Sequence, residues 1–433
     1  MKNLQKLALD VSDTLGISQK ENPHIKKAMH DFGAKFIDKL LTQKKFKKEN
    51  YTDKEKDIIN KLKHTKYGPL VYEIDNICHT KTKVSENVRI RYVEESAECY
   101  ELAKLIRTIC FKRGCHCAIT PHNTETDKEY YRLAPDNILF ELNPLSVAII
   151  KNTDVSIFIG DETDPNWSKG FEKRIACGST SSMQFRKIYD QQSIRGAYLA
   201  LPVKKKEMYV PEKKYNKVFY ESLIASFSPE MKSLIDTYEK KLKNKEQIRI
   251  TADDGTDLTF SIKDRRILRD DNYAVVDKKR NEIYNFPTGE VFTAPVETSA
   301  NGKITFDYVT PRGFGLIENL TLTFRDGKVT DAKAKGDGAK RFRNFLDVNT
   351  GEKDRIAELG IGCNPKAEFL GTTIVDEKIY GSIHIAIGFN LGPFHGKNLA
   401  SSHLDMIKIM KGKNINGNVY ADNKLIMKNG EPV

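Results

Sequence analysis

Between about residue 86 and residue 245, short β-branched runs alternate with helical segments; past 245 closely spaced hairpins take over. This change of rhythm constrains the fold more than any other feature of the chain. Val88-Arg89-Ile90-Arg91-Tyr92-Val93 alternates as a strand, and Ser96 is placed to cap a helix running through Arg113. Cys115 to Thr120 returns as a strand after a turn at Gly114, and Asp154 to Ile159 gives another. Strands separated by helical crossovers pair in parallel, so this stretch predicts an α/β sheet. The loop Gly160 to Asn166 follows the last of these strands, where open α/β sheets hold ligand crevices, although turn and capping roles suit its acids better. Helical stretches follow at 211–226 and 229–244. Hairpins are then expected around Asp253-Asp254-Gly255, Asp326-Gly327 and Asp422-Asn423. The expected architecture is a short basic helical extension (1–85), an α/β domain (86–245) and a mixed α+β, β-rich C-terminal domain (246–433).

A chain of 433 residues is too long for one compact core. No run reaches the roughly 20 apolar residues needed to span a bilayer, and Met1-Lys2-Asn3-Leu4-Gln5-Lys6 is followed by no secretory apolar segment. A cytoplasmic protein without a membrane partner is expected. The seven cysteines are odd in number and scattered, which predicts reduced thiols rather than a disulfide framework. Cys110, Cys115, His116 and Cys117 fit no zinc-finger spacing and read as a helix end, a turn and a strand. The net charge of +12 suggests a polyanion partner, but more than half of it falls in about the first seventy residues. There Ile25, Met29, Phe32, Phe36 and Leu40, then Ile58, Ile59 and Leu62, recur at helical spacing. The charge reads as a solvated helix face, and no nucleic-acid partner is expected.

The C-terminal third concentrates ligand-type residues. Glu290 follows Gly289 at the head of an apolar run, and Glu358 precedes Leu359-Gly360-Ile361-Gly362, where little solvent accounts for a carboxylate. His384 lies in the apolar run Ile383 to Ile387, where a lone histidine would be a hydrogen-bonded core residue. His403 and Asp405 share one strand face two residues apart, and three of the nine histidines fall between 384 and 403. Two imidazoles and three carboxylates suit one or two Zn²⁺-like ions, on which water ionises near neutral pH and attacks an amide.

These segments carry a resemblance. Gly289-Glu290-Val291-Phe292-Thr293-Ala294-Pro295, continuing to Gly302, Glu358 to Pro365, Ile383-His384-Ile385-Ala386-Ile387-Gly388, and Gly396-Lys397-Asn398 with His403-Leu404-Asp405 resemble, in that order, the motifs of the M29 aminopeptidases. The resemblance covers about four fifths of the chain and leaves the first eighty or so residues unmatched. It implies a cytoplasmic homodimer that binds two divalent ions, Zn²⁺ or Co²⁺ with Mn²⁺ a further candidate, and releases residues from peptides with a free N-terminus. It implies Glu290, Glu358, His384, His403 and Asp405 as metal ligands and Glu358 as the catalytic base, with Glu297 in reserve. One departure stands out: Leu391 occupies the place of a family tyrosine, for which Tyr380 and His395 are candidate substitutes.

Two other functions compete. Relatives that cleave dihydroxypyridine rings with O₂ use one Fe²⁺, and His384, His403 and Asp405 would form their two-histidine, one-carboxylate triad. Retention of both Glu290 and Glu358 argues against that centre. The other is a catalytically weakened binding homologue, supported by Leu391 and the added helices.

Overall fold

The computed structural model describes residues 2–15, 17, 86–192, 194–271, 283–391, 396–412 and 414–433. The helical patterns expected around 25–40 and 58–62, and His395, lie outside the described residues.

The first sheet takes β1 (Asn87–Val93), β2 (His116–His122), β3 (Val155–Ile159) and β4 (Arg195–Leu199). The chain then forms β5 (Gln247–Thr251), β6 (Asp257–Ser261) and β7 (Leu268–Asp270) before β8 (Ile283–Phe286) returns to it. Strand order is β2-β1-β3-β4-β8, parallel throughout. One face of this sheet is apolar because Val88, Ile90, Val155, Ile157 and Ile159 alternate inward. The helix Ala97–Lys112 covers it through Leu102, Ala103 and Ile106, after Ser96 caps its start by accepting from the Cys99 N–H at 3.3 Å. The helix Lys2–Thr14 packs on that helix and buries Ala8 and Val11 in the same core, as do Leu15 and Ile17. The described start of the 1–85 extension is thus integral to the α/β layer.

The second sheet continues through β9 (Glu290–Thr293), β10 (Asn301–Val309), β11 (Ile317–Arg325), β12 (Lys328–Lys333), β13 (Ile356–Gly362), β14 (Ser382–Gly388), β15 (His403–Ile409), β16 (Asn418–Ala421), β17 (Lys424–Lys428) and β18 (Glu431–Pro432). Its main order is β18-β17-β16-β5-β6-β10-β15-β14-β13-β9-β7, and β11 and β12 branch from β10. All three expected hairpins form, as β5/β6, β11/β12 and β16/β17. Met231, Ile235, Tyr238 and Leu242 of the helix Pro229–Leu242 close over the core that Phe260, Ile304 and Phe306 build from the sheet. β13 and β14 are buried at every position, so any polar side chain on them needs an internal partner.

Candidate metal centre

Four adjacent strands, β9, β13, β14 and β15, bring Glu290, Glu358, His384, His403 and Asp405 together. The register explains how. Gly362 pairs Glu290, Gly360 pairs His384, and Ala386 separates Glu358 from Asp405 across the sheet. Small residues beside each ligand leave room for the larger side chains. A Cβ at residue 360 would lie 2.1 Å from both Cε1 and Nε2 of His384, so only glycine admits the imidazole there.

Two trios form, Glu290 with Glu358 and His384, and Glu358 with His403 and Asp405; within each, one ligand atom per residue lies within 4.8 Å of the others. Glu358 belongs to both: Oε1 is 3.5 Å from His384 Nε2 and Oε2 is 3.1 Å from His403 Nε2. His384 Nε2 also lies 3.4 Å from Glu290 Oε2, and His403 Nε2 lies 3.2 Å from Asp405 Oδ1. The other ring nitrogens face backbone carbonyls, His384 Nδ1 that of Glu377 at 3.2 Å and His403 Nδ1 that of Phe389 at 2.7 Å. With Nδ1 facing a carbonyl, Nε2 is the ring nitrogen turned toward the carboxylates, the usual orientation of a ligating histidine.

The carboxylates draw positive charge onto the ring nitrogens that face them. Burial pushes Glu358 up, but hydrogen bonds from His384 and His403 outweigh it and hold the carboxyl below the usual range. Burial pushes His384 down, whereas Glu358 and Glu290 raise it overall to about 9. His403 is likewise raised well above its ordinary value, because Asp405 and Glu358 override its burial. Glu290 Oε2 is buried and has no hydrogen-bond partner among the described residues. An orphaned carboxylate oxygen, two oriented imidazoles and a shared glutamate fit divalent ions as the missing partners.

Three charged groups missed by sequence reasoning support this cluster. Lys378 is fully buried, with Nζ 2.5 Å from Glu290 Oε1, 2.7 Å from Glu377 Oε1 and 3.2 Å from Asp270 Oδ2. Burial alone would depress the ammonium, but Glu290, Glu377 and Asp270 raise it well above its ordinary range. Desolvation pushes Glu377 up to about 7 and Asp270 to about 6, against the opposing charge of Lys378. The available signal was the triplet Asp376-Glu377-Lys378 set between Ile374-Val375 and Ile379.

The reserve residues sit elsewhere. Glu297 accepts from Arg265 at 2.6 Å, Lys397 N at 2.7 Å and Asn390 Nδ2 at 3.2 Å, and thereby holds Asn390 and Lys397. Tyr380 donates to Glu431 and lies beneath the Lys411 ammonium, so its contacts belong to the C-terminal hairpin. Leu391, next to Asn390, is half-buried.

Residues 229–431 match the family model described as thermophilic metalloprotease (M29). Aminopeptidase AmpS of Bacillus subtilis (strain 168) is 27% identical over 198 residues, 41% of this chain and 47% of that protein. Aminopeptidase 2 of Geobacillus stearothermophilus is 28% identical over 126 residues, 28% of this chain and 30% of that protein. The matched part therefore spans about half, or less, of these relatives' length. Among solved structures, wild-type AmpT from Thermus thermophilus is similar with a TM-score of 0.62 at 15% identity, over 81% of this chain and 94% of that one. The 2,5-dihydroxypyridine dioxygenase of Pseudomonas putida KT2440 is similar with a TM-score of 0.52, also at 15% identity, over 80% and 92%. These two likenesses concern the fold alone. Residues 229–431, the part that matches the thermophilic metalloprotease (M29) model, contain all five clustered ligand-type side chains.

Proposed function

We propose that the protein is a metal-dependent aminopeptidase that removes N-terminal residues from peptides, with two divalent ions, Zn²⁺ or Co²⁺, held by Glu290, Glu358, His384, His403 and Asp405. The observation that carries this reading is the sharing of Glu358 between two ligand trios. When bound, the ions would polarise a scissile carbonyl and lower the pKa of water. The remaining roles fall to the chain. His384 and His403 are held in orientation by the Glu377 and Phe389 carbonyls, Lys378 steadies Glu290, and the carboxylates attract a substrate's α-ammonium. Glu358 is assigned as base, taking a proton from the attacking water and returning it to the leaving amine.

A single-iron dioxygenase is disfavoured because His384 groups with Glu290 and Glu358 rather than in one trio with His403 and Asp405. A homodimer belongs to the proposal, supported by Leu133, Phe140 and Leu145, which expose 67%, 55% and 68% of their surface in consecutive helical segments. A cytoplasmic location is likewise proposed; the six described cysteines are free thiols, the state maintained by a reducing compartment. The test is hydrolysis of a panel of peptides by chelated protein resupplied with Zn²⁺, Co²⁺, Mn²⁺ or Fe²⁺. Cleavage is expected only with metal and only at a free N-terminus. Equal cleavage of N-acetylated peptides would make it an endopeptidase, and full activity without metal would end the metal mechanism.

A further inference from the structure

The second face of the parallel sheet is unusual, because a sheet covered on both sides normally carries apolar residues on both. Here Arg89 and Arg91 of β1 alternate outward from the apolar face, beside Ser156 and Phe158 of β3. A crevice of about 680 Å³ opens on this face, between it and the loops around Arg312 and Thr372. The strand order turns about β1, with β2 on one side and β3 on the other, and the crevice is lined by residues from the carboxyl-terminal parts of these strands. That is the place where open α/β sheets take ligands.

Its lining sets Arg91, Lys205 and Arg312 against Asp127, Asp161 and Glu162, but the ion pairs leave Arg91 over. Lys205 pairs with Asp161 at 2.8 Å and Arg312 pairs with Glu162 at 2.8 Å. Asp161 is further occupied by Thr372 Oγ1 at 2.8 Å and Tyr215 Oη at 3.1 Å, and Asp127 faces His122 at 3.7 Å. Among the described residues, Arg91 has no carboxylate partner, and its buried Nε has no hydrogen bond. Burial, then Arg89 and Arg312, depress its pKa, while Tyr189 and the more distant Asp127 carboxylate act the other way without reversing the shift. Arg186 extends the positive region. Burial lowers it to about 10, with a further contribution from Arg312, and it remains charged at neutral pH. Its guanidinium stacks 5.3 Å from the Phe389 ring, and the Phe389 carbonyl binds His403. The cationic region therefore reaches from the crevice to the rim of the ligand cluster.

We infer that this crevice is a carboxylate-binding subsite, with Arg91 as its anchor, that receives the C-terminal carboxylate of a peptide whose N-terminus lies at the metal centre. The assignment of the carboxylate to a peptide substrate rests on the aminopeptidase reading. Guanidinium forks suit planar carboxylates, and the Phe158 ring, 5.4 Å below the Arg91 guanidinium, supplies an apolar wall.

The test uses the metal-loaded full chain and a tripeptide analogue whose first amide is replaced by a non-hydrolysable methylene-amine, prepared as free acid and as C-terminal amide. Calorimetry is expected to show the acid binding at least about tenfold tighter. Arg91→Met should reduce that preference to less than about threefold. Equal affinities for acid and amide in the wild type, or an undiminished preference in Arg91→Met, would overturn the assignment. Should Arg91→Met not fold, Arg91→Lys decides: a loss of at least about threefold in preference supports the fork, and no change overturns it. Hydrolysis of ordinary free-amine peptides is measured alongside. Acid preference without hydrolysis would sink the aminopeptidase reading and leave the carboxylate site standing, whereas hydrolysis without acid preference would do the reverse.

Discussion

Lys378 holds Glu290 by one oxygen only: Nζ lies 2.5 Å from Oε1, while Oε2 is buried 3.4 Å from His384 Nε2 and has no hydrogen bond among the described residues. The ammonium thus fixes the carboxylate without consuming the atom that a metal would use. Removing it strands three buried carboxylates. Lys378→Met is expected to destabilise the metal-free protein by about 3–5 kcal/mol, the scale for breaking a buried ion pair from one side. Urea unfolding in chelator measures this, and a loss below about 1 kcal/mol would show that the ammonium is not needed to balance the cluster.

Gly360→Ala should cost metal affinity rather than the fold. The new methyl would meet the His384 ring at 2.1 Å and turn it away from Glu358. A loss of about 10–100-fold in metal affinity is expected, as for disturbed ligand orientation. Metal titration against a competing chelator reads it, with circular dichroism as the control for folding.

The shared glutamate predicts an unequal pattern of metal loss. Glu290→Gln and Asp405→Asn each touch one trio and should each lower the metal-to-protein ratio from about two to about one. Glu358→Gln touches both and should also reduce turnover by about a hundredfold or more. Equal metal content in all three variants and wild type, measured by elemental analysis, would reject the shared-ligand arrangement.

Metal binding should strengthen as pH rises toward 9. In the metal-free protein burial lowers His384, but Glu358 and Glu290 outweigh it and raise the imidazole to about 9. A cation taking Nε2 must therefore displace a proton at neutral pH, and the competition fades above that value. Calorimetry at pH 7 in buffers of different ionisation enthalpy should show net proton release. None released would mean that the imidazoles are already neutral.

The helix at the start of the chain should support folding without touching the centre. Leu15 is fully buried against the α/β core, so Leu15→Ala is expected to cost about 2–5 kcal/mol while leaving metal stoichiometry unchanged. Thermal unfolding and metal analysis on the same sample check both halves of this statement.

The sequence was most legible where structure is local. Ser96 announces its helix because the cap acts three residues away, and Asp326-Gly327 announces a hairpin because the turn needs those backbone conformations. The five ligand-type residues were visible through the spacing and composition of their segments. Lys378 was not, since a lysine's letter carries no information about burial; its partners stand 88 and 108 residues away at Glu290 and Asp270. Gly360 gave no sign of its role, because the ring it accommodates belongs to the neighbouring strand. The packing of residues 2–17 and the return of β8 are likewise long-range choices that periodicity does not encode.

That return of β8 has a mechanical consequence. Phe286 closes the edge of the parallel sheet beside Leu199, and Glu290 opens β9 only four residues later. A cut at residue 245 would therefore not yield two self-sufficient halves: the front piece would lose its outer strand, and the rear piece would carry that strand with nothing to pair against. The same short tether makes the parallel sheet a fixed abutment for one wall of the ligand cluster, so displacement of one layer is felt at Glu290 before it can be absorbed by a loop.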